Sequence, residues 1–189
     1  MSSNYWQGEC VRLRAIEPGD WEAHFAWDHD SEMARRLDHI PFPQSGEATR
    51  AWAGRTTTRA PEGDLFHFVI ENTAGELVGT LSTHFCNARN GTWEYGVAVR
   101  AEHQRKGYAG EAIRLMLRYF FEELRYQKAL AWVYSFNEPS IRLHQRLGFQ
   151  QEGCLRRMIY TDGRYFDNLA FGLTDDEFAA RYPQSRKVE

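Results

Sequence analysis

Between a strand-like run, Trp93 to Val99, and a helical pattern that opens at Tyr108 lies the segment Gln104-Arg105-Lys106-Gly107-Tyr108-Ala109-Gly110. A helix start leaves four backbone N–H groups without intrahelical acceptors and carries the positive end of the macrodipole, so an anion is favoured there. Gly107, Ala109 and Gly110 keep that backbone approachable, and Arg105 and Lys106 add positive charge beside it. A diphosphate is the ligand that suits several amides converging on one point. The alternative is an ordinary glycine-containing loop with two solvated cations. No Gly-Lys-Ser/Thr follows and no G-x-G-x-x-G is present, which disfavours ATP and dinucleotides.

Glu94 sits on the strand that feeds this loop. Strict alternation puts Glu94, Gly96 and Ala98 on one face and Trp93, Tyr95, Val97 and Val99 on the other. The first face is small and polar enough to admit a substrate, and a carboxylate there is able to accept a proton. The rival reading has Glu94 paired with a neighbouring cation or facing solvent. Further along, Asn137 is placed to cap a helix with Pro139 in its first turn and Gly148 at its end. Ser140 and His144 lie one turn apart on it. A lone helical histidine either moves a proton or fills the helix surface.

These residues need a scaffold. Val11, Leu13 and Ala15 alternate with Arg12 and Arg14 in a half-buried strand over Cys10 to Ile16, followed by helical turns over Trp21 to Leu37 and a short helix near Glu47 to Thr57. Phe66 to Glu71, Leu77 to Phe85 and Trp93 to Val99 form an antiparallel meander separated by turn formers. From Tyr108 the period becomes helical, with Ala112, Leu115, Met116, Tyr119, Phe120 and Leu124 on one stripe of a long amphipathic helix. The nearly continuous apolar run Ala129 to Phe136 reads as a central strand covered on both faces, and Trp132, like Trp52, reads as core rather than as a recognition element. Cys154 to Leu173 is a hairpin folded at Asp162-Gly163. The fold class is a single α/β (α+β) domain with a mixed, mainly antiparallel sheet and flanking helices.

Composition agrees with such a domain. The chain has 189 residues, 42% of them hydrophobic and 26% charged, with a net charge of −3 and no long block of like charges, which argues against a nucleic-acid partner. Apolar runs are too short to span a bilayer, so no membrane partner is expected. Cys10, Cys86 and Cys154 are odd in number and far apart, which suggests neither a disulfide framework nor a zinc site and fits a reducing cytoplasm. Exposed aromatics would allow a homodimer.

Gln104-Arg105-Lys106-Gly107-Tyr108-Ala109 resembles the phosphate loop Q/R-x-x-G-x-G/A of the GNAT superfamily of N-acetyltransferases, set between the fourth strand and third helix. Asn137-Glu138-Pro139-Ser140 through Arg146-Leu147-Gly148-Phe149 is similar to the family segment N-x-x-S/A…K/R-L-G-F after the fifth strand. Arg12-Leu13-Arg14 and the hairpin residues Glu152-Gly153, Ile159-Tyr160, Asp162-Gly163-Arg164 and Asp167 look like the ribosomal-protein-acetylating, Rim-type branch.

The resemblance implies a GNAT domain over residues 1–182 with a tail over 183–189, and strands four and five splayed by a bulge near Gly96. It implies transfer of acetyl from acetyl-CoA to a primary amine by direct attack, without a metal. The cofactor would lie on Gln104, Arg105, Lys106, Gly107, Tyr108, Ala109 and Gly110, on the backbone around Val97 to Val99, which supplies the oxyanion donor, and on Asn137 through its pantetheine arm. An alkylamine with pKa near 10.4 is neutral in only about one molecule in a few thousand at pH 7, so a base matters, and Glu94 stands where several relatives carry one. Where many relatives carry a proton-donating tyrosine this chain has His144, with Ser140 as an alternative donor. The early helical region with His24 and His29 lies where the family builds its acceptor wall. The acceptor stays open among a protein N-terminus, a polyamine, an amino acid or another small amine. The other class left open is a non-catalytic acetyl-CoA sensor or partner-binding module.

Overall fold

The computed structural model describes residues 4–60 and 62–183, so the tail expected over 183–189 lies outside the described residues except for Pro183. Its elements are β1 (Val11–Arg14), α1 (Trp21–Trp27), α2 (Ser31–Leu37), α3 (Gly46–Thr58), β2 (His67–Asn72), β3 (Leu77–Asn87), β4 (Thr92–Val99), α4 (Tyr108–Arg118), β5 (Lys128–Tyr134), α5 (Glu138–Leu147), β6 (Gln150–Thr161), β7 (Arg164–Thr174) and α6 (Asp175–Arg181). The strands follow the hydrogen-bonded order β1-β2-β3-β4-β5-β7-β6. This is the expected mixed sheet: mostly antiparallel, with β4 and β5 parallel. The chain divides into two compact units. One runs to Ser82 and takes in Gly96–Leu115; the other comprises Thr83–Tyr95 and the chain from Met116 onward.

In the first unit β1 pairs with β2 from Val11↔Asn72 to Arg14↔Val69, and β2 pairs with β3. Val11, Leu13, Val69, Ile70, Val78, Leu81, Ala112 and Ile113 are buried, which removes enough apolar surface from water to hold the strands and the start of α4 as a core. On β2, Glu71 accepts from Arg12 and Arg14 at 2.5 Å each, and Arg14 also reaches Asp20 at 2.8 Å. Glu111, in the first turn of α4, clamps the lead-in to β1. Its carboxylate accepts the amides of Glu9 (2.6 Å), Cys10 (2.8 Å) and Val11 (2.8 Å) and the Cys10 thiol (2.8 Å). A side chain on Gly8 would meet the Glu111 carboxyl carbon at 2.5 Å, so the carboxyl group would have to shift out of its clamp.

Burial alone would push Glu111 up, but the Cys10 thiol and the three amides outweigh it and hold the carboxyl below 4.5, while burial and Glu111 push Cys10 up to about 11. A carboxyl whose pKa is depressed by folding contributes stability above the unfolded value and loses it as pH falls through the folded one. Glu111→Gln is therefore expected to destabilise the fold by about 2–3 kcal/mol at neutral pH. In urea titrations at several pH values, the gap between variant and wild type should narrow below about pH 4.5; a gap independent of pH would contradict the clamp.

In the second unit β4 pairs with β5 over the first three residues of each, Thr92↔Lys128 to Glu94↔Leu130, and β7 lies between β5 and β6. Trp93 stacks on Phe120 with ring centroids 4.0 Å apart. The long helix departs from the expected regular period here. It passes at Tyr119–Glu123 into a π turn, in which the Leu124 N–H reaches back to the Tyr119 carbonyl at 3.2 Å. Successive residues of a regular helix point about 100° apart; the widened turn lets Phe120 and Phe121 both go inside, at 0% and 9% exposure. The Asp162-Gly163 turn forms as expected, with φ of 53° and 74°.

The expectation for β5 is corrected on one point. It lies between two strands, but its outer face is not covered: Ala129, Ala131 and Val133 are at most 3% exposed, whereas Trp132 is 42% exposed. The apolar run conceals an alternation, with Trp132 outside the core.

Candidate active site

The segment between β4 and α4 has the conformation its sequence calls for. Arg105 and Gly107 are left-handed, with φ of 61° and 88°, and residues 104–107 are exposed. Such a curl turns backbone N–H groups toward a common point. The Glu111 N–H makes a helical bond to the Gly107 carbonyl at 3.1 Å, so the amides of Tyr108, Ala109 and Gly110 precede the helical ladder. A Cβ on Gly107 would meet nothing within 4 Å, which leaves open room above the loop. Gln104 has a second duty: its side-chain amide donates to the Val99 carbonyl at 3.0 Å and braces the loop on the end of β4. The loop is thus exposed, curved and rich in donors, which fits a diphosphate.

Along β4 the strict alternation gives way. Trp93 and Tyr95 are buried and the next buried position is Ala98, three residues on, so the strand slips phase at Gly96-Val97 and Ala98 leaves the Glu94 face. Val97 and Val99 are half-buried.

Glu94 is half-buried and pairs in register with Leu130 on β5. Two residues further, on the same face, the Trp132 indole Nε1–H donates to Glu94 Oε2 at 3.1 Å. On β3, His84 interacts electrostatically with Glu94; burial lowers the histidine below 6.5 and the carboxylate only partly opposes this. Glu94 thus has a defined indole donor and a neighbouring imidazole, and neither was legible as a partner from motif spacing. The parallel register of β4 on β5 is the signal that would have placed Trp132 beside Glu94.

α5 forms as its caps dictate: the Asn137 side chain accepts from the Ser140 amide at 3.4 Å, and Gly148 closes the helix with φ of 102°. Ser140 and His144 are together, one turn apart. His144 is 3% exposed, with its ring among Tyr95, Phe149 and Phe171 at 5.9, 5.2 and 5.8 Å. Burial lowers its pKa below 6.5, against a smaller opposing effect of the Ser140 backbone. Its Nδ1 lies 2.8 Å from the Ser140 carbonyl, which only accepts, so Nδ1 carries the proton and the neutral ring has none on Nε2. The Ser140 hydroxyl oxygen is 3.3 Å from the same Nδ1. His144 is thus a core residue supporting Ser140, rather than the surface filler considered from sequence. Among the described residues no group of three or more His, Cys, Asp or Glu is placed to hold a metal ion, and no helix is long and apolar enough to cross a membrane.

The family model for the acetyltransferase (GNAT) domain matches residues 11–150. The chain belongs to the GNAT acetyltransferase family. It is 43% identical over 178 residues to the SPbeta prophage-derived uncharacterized N-acetyltransferase YokL of Bacillus subtilis, covering 94% of this chain and 97% of that one. It is 31% identical over 157 residues to a spermidine N(1)-acetyltransferase of Vibrio cholerae, covering 83% and 88%. Two solved structures share the fold: a GNAT-family acetyltransferase from Bacillus anthracis (24% identity, TM-score 0.76, covering 90% and 98%) and the V. cholerae spermidine N-acetyltransferase in complex with CoA and spermine (22%, 0.77, 89% and 97%). This GNAT chain is an acetyl-CoA-dependent N-acetyltransferase that delivers acetyl to an amine.

Proposed function

We propose that this acetyltransferase uses Gln104–Gly110 to hold the diphosphate of acetyl-CoA, Asn137 to hydrogen-bond the pantetheine arm, the Val97–Val99 backbone to donate to the thioester oxygen, Glu94 as the base and Ser140 as the proton donor. The observation that carries the reading is the loop: two left-handed residues lead directly into helix amides that precede the helical ladder, with open room above Gly107. The acceptor is a small aliphatic amine. The spermidine-acetylating relative and the net charge of −3 support a cationic one. Hairpin features of the Rim-type branch support keeping free peptide N-termini in the test. The family match over residues 11–150 supports a single catalytic domain, for which the reading is residues 1–182. Three free thiols support a reducing compartment such as the cytoplasm.

In the proposed step Glu94 takes one proton from the bound ammonium, the neutral nitrogen attacks the thioester carbonyl carbon, the carbon–sulfur bond breaks, and the Ser140 hydroxyl passes its proton to the departing sulfur while taking up the second proton released by the nitrogen. Because the His144 Nδ1–H points to Ser140, the serine keeps its own proton to give away. A thiolate with pKa near 8.5 leaves with little help. Ser140→Ala should therefore lower kcat only about tenfold, with KM for acetyl-CoA within about twofold; a fall of a thousandfold in steady-state thiol release would assign Ser140 a different role.

The function is tested by following free thiol from acetyl-CoA across a panel of polyamines, amino acids, other small amines and peptides with free N-termini. Thiol release with a small amine supports the reading. Release with peptides alone replaces the acceptor class, and binding of acetyl-CoA without release to any amine points to a sensor.

A further inference from the structure

We infer that Trp132 is a positioning residue for acetyl transfer, its indole N–H holding Glu94 Oε2 so that Oε1 faces the incoming amine. The inference rests on the proposed role of Glu94 as base. β5 buries Ala129, Ala131 and Val133 and turns Trp132 outward, where the residue is 42% exposed. An indole left at a surface for packing alone would let its N–H face water. This one is spent on a carboxylate at 3.1 Å.

The register makes the contact reproducible. Glu94 pairs with Leu130, and Trp132 is the next residue of β5 on that face, so both side chains spring from strands hydrogen-bonded to each other. On the other side Trp132 pairs with Ala170 of β7, and Leu130 with Gly172, over which the Glu152 carboxyl group lies. A half-buried glutamate still has three side-chain torsions and several orientations; a donor fixed to one oxygen selects among them. A carboxylate has two oxygens and several lone pairs, so holding one leaves the other to take a proton. Proximity of a base within hydrogen-bonding reach of the proton it removes governs its efficiency, and a small misplacement costs rate more than binding.

Four forms test this: wild type, Trp132→Phe, Glu94→Gln and the double variant, each assayed for thiol release and for acetyl-CoA binding by calorimetry. Trp132→Phe keeps the ring and removes the N–H. The expected result is a kcat about tenfold lower with acetyl-CoA affinity within about twofold, and no further loss when Trp132→Phe is added to Glu94→Gln. A wild-type kcat in Trp132→Phe, or the same fractional loss in both backgrounds, overturns the inference while leaving Glu94 in place. Wild-type turnover in Glu94→Gln instead removes the base assignment and the inference with it. Should Trp132→Phe not fold, indole ¹H–¹⁵N resonances of the wild type and Glu94→Ala, which removes the acceptor, decide: one indole proton moving upfield supports the bond, and an unchanged set overturns it.

Discussion

Replacing Glu94 by Gln is expected to reduce turnover by about 10²–10⁴-fold while leaving acetyl-CoA binding intact, because the change removes a proton acceptor and nothing that the loop or α5 uses. The amide is close in size to the carboxylate and keeps an oxygen that can accept from the Trp132 indole, so the strand pair is undisturbed. The residual rate carries its own signature. Without a base, only amine already neutral in solution reacts, and that fraction grows tenfold per pH unit up to about pH 10.4. Thiol release by the variant should therefore climb steeply between pH 6 and 9 and close part of the gap to wild type. A variant that matches wild-type rates across that range would remove Glu94 as the base.

Gly107→Glu addresses the other end of the substrate. Here the expected loss is affinity: acetyl-CoA binding should weaken by about 10²-fold or more. A carboxylate about 5 Å from a phosphate charge at an effective dielectric near 20 opposes it by roughly 3 kcal/mol, and a side chain at φ of 88° adds strain of order 1 kcal/mol. Gly107→Ala separates the two effects. Its methyl enters empty space, so it should show only the conformational part, a few-fold loss. Calorimetric titration with acetyl-CoA reads both variants, and wild-type affinity in Gly107→Glu would remove the anion site from this loop.

Where a local rule decides the structure, the sequence was legible. Asn137 and Gly148 bracket α5, Asp162-Gly163 turns the last hairpin, and the small-residue loop leads into α4 because each depends on a few neighbouring residues. What escaped depends on partners distant in sequence. The π turn at Tyr119–Glu123 is not encoded by period; it accommodates Phe120 against Trp93, a residue of another element. Trp132 reads as core because Ala129 to Val133 is apolar throughout, and only the pairing of β5 with β4 and β7 shows which side is outside. His144 reads as a helix-surface residue or a donor, but its helix turns it in among Tyr95, Phe149 and Phe171. The phase slip at Gly96-Val97 hides in the same way, since an even alternation and an interrupted one look alike in a run of small and branched residues.

The hold of Glu111 on Val11 joins residues 100 positions apart, and β1 finds its partner β2 only some sixty residues downstream, at Val11↔Asn72. Contacts of such long range make assembly slow, in the millisecond-to-second regime, because the entropy of closing the intervening chain must be overcome before any bond forms. During biosynthesis Glu111 emerges after both β1 and β2, and a nascent chain ending before it would lack this anchorage of the opening strand.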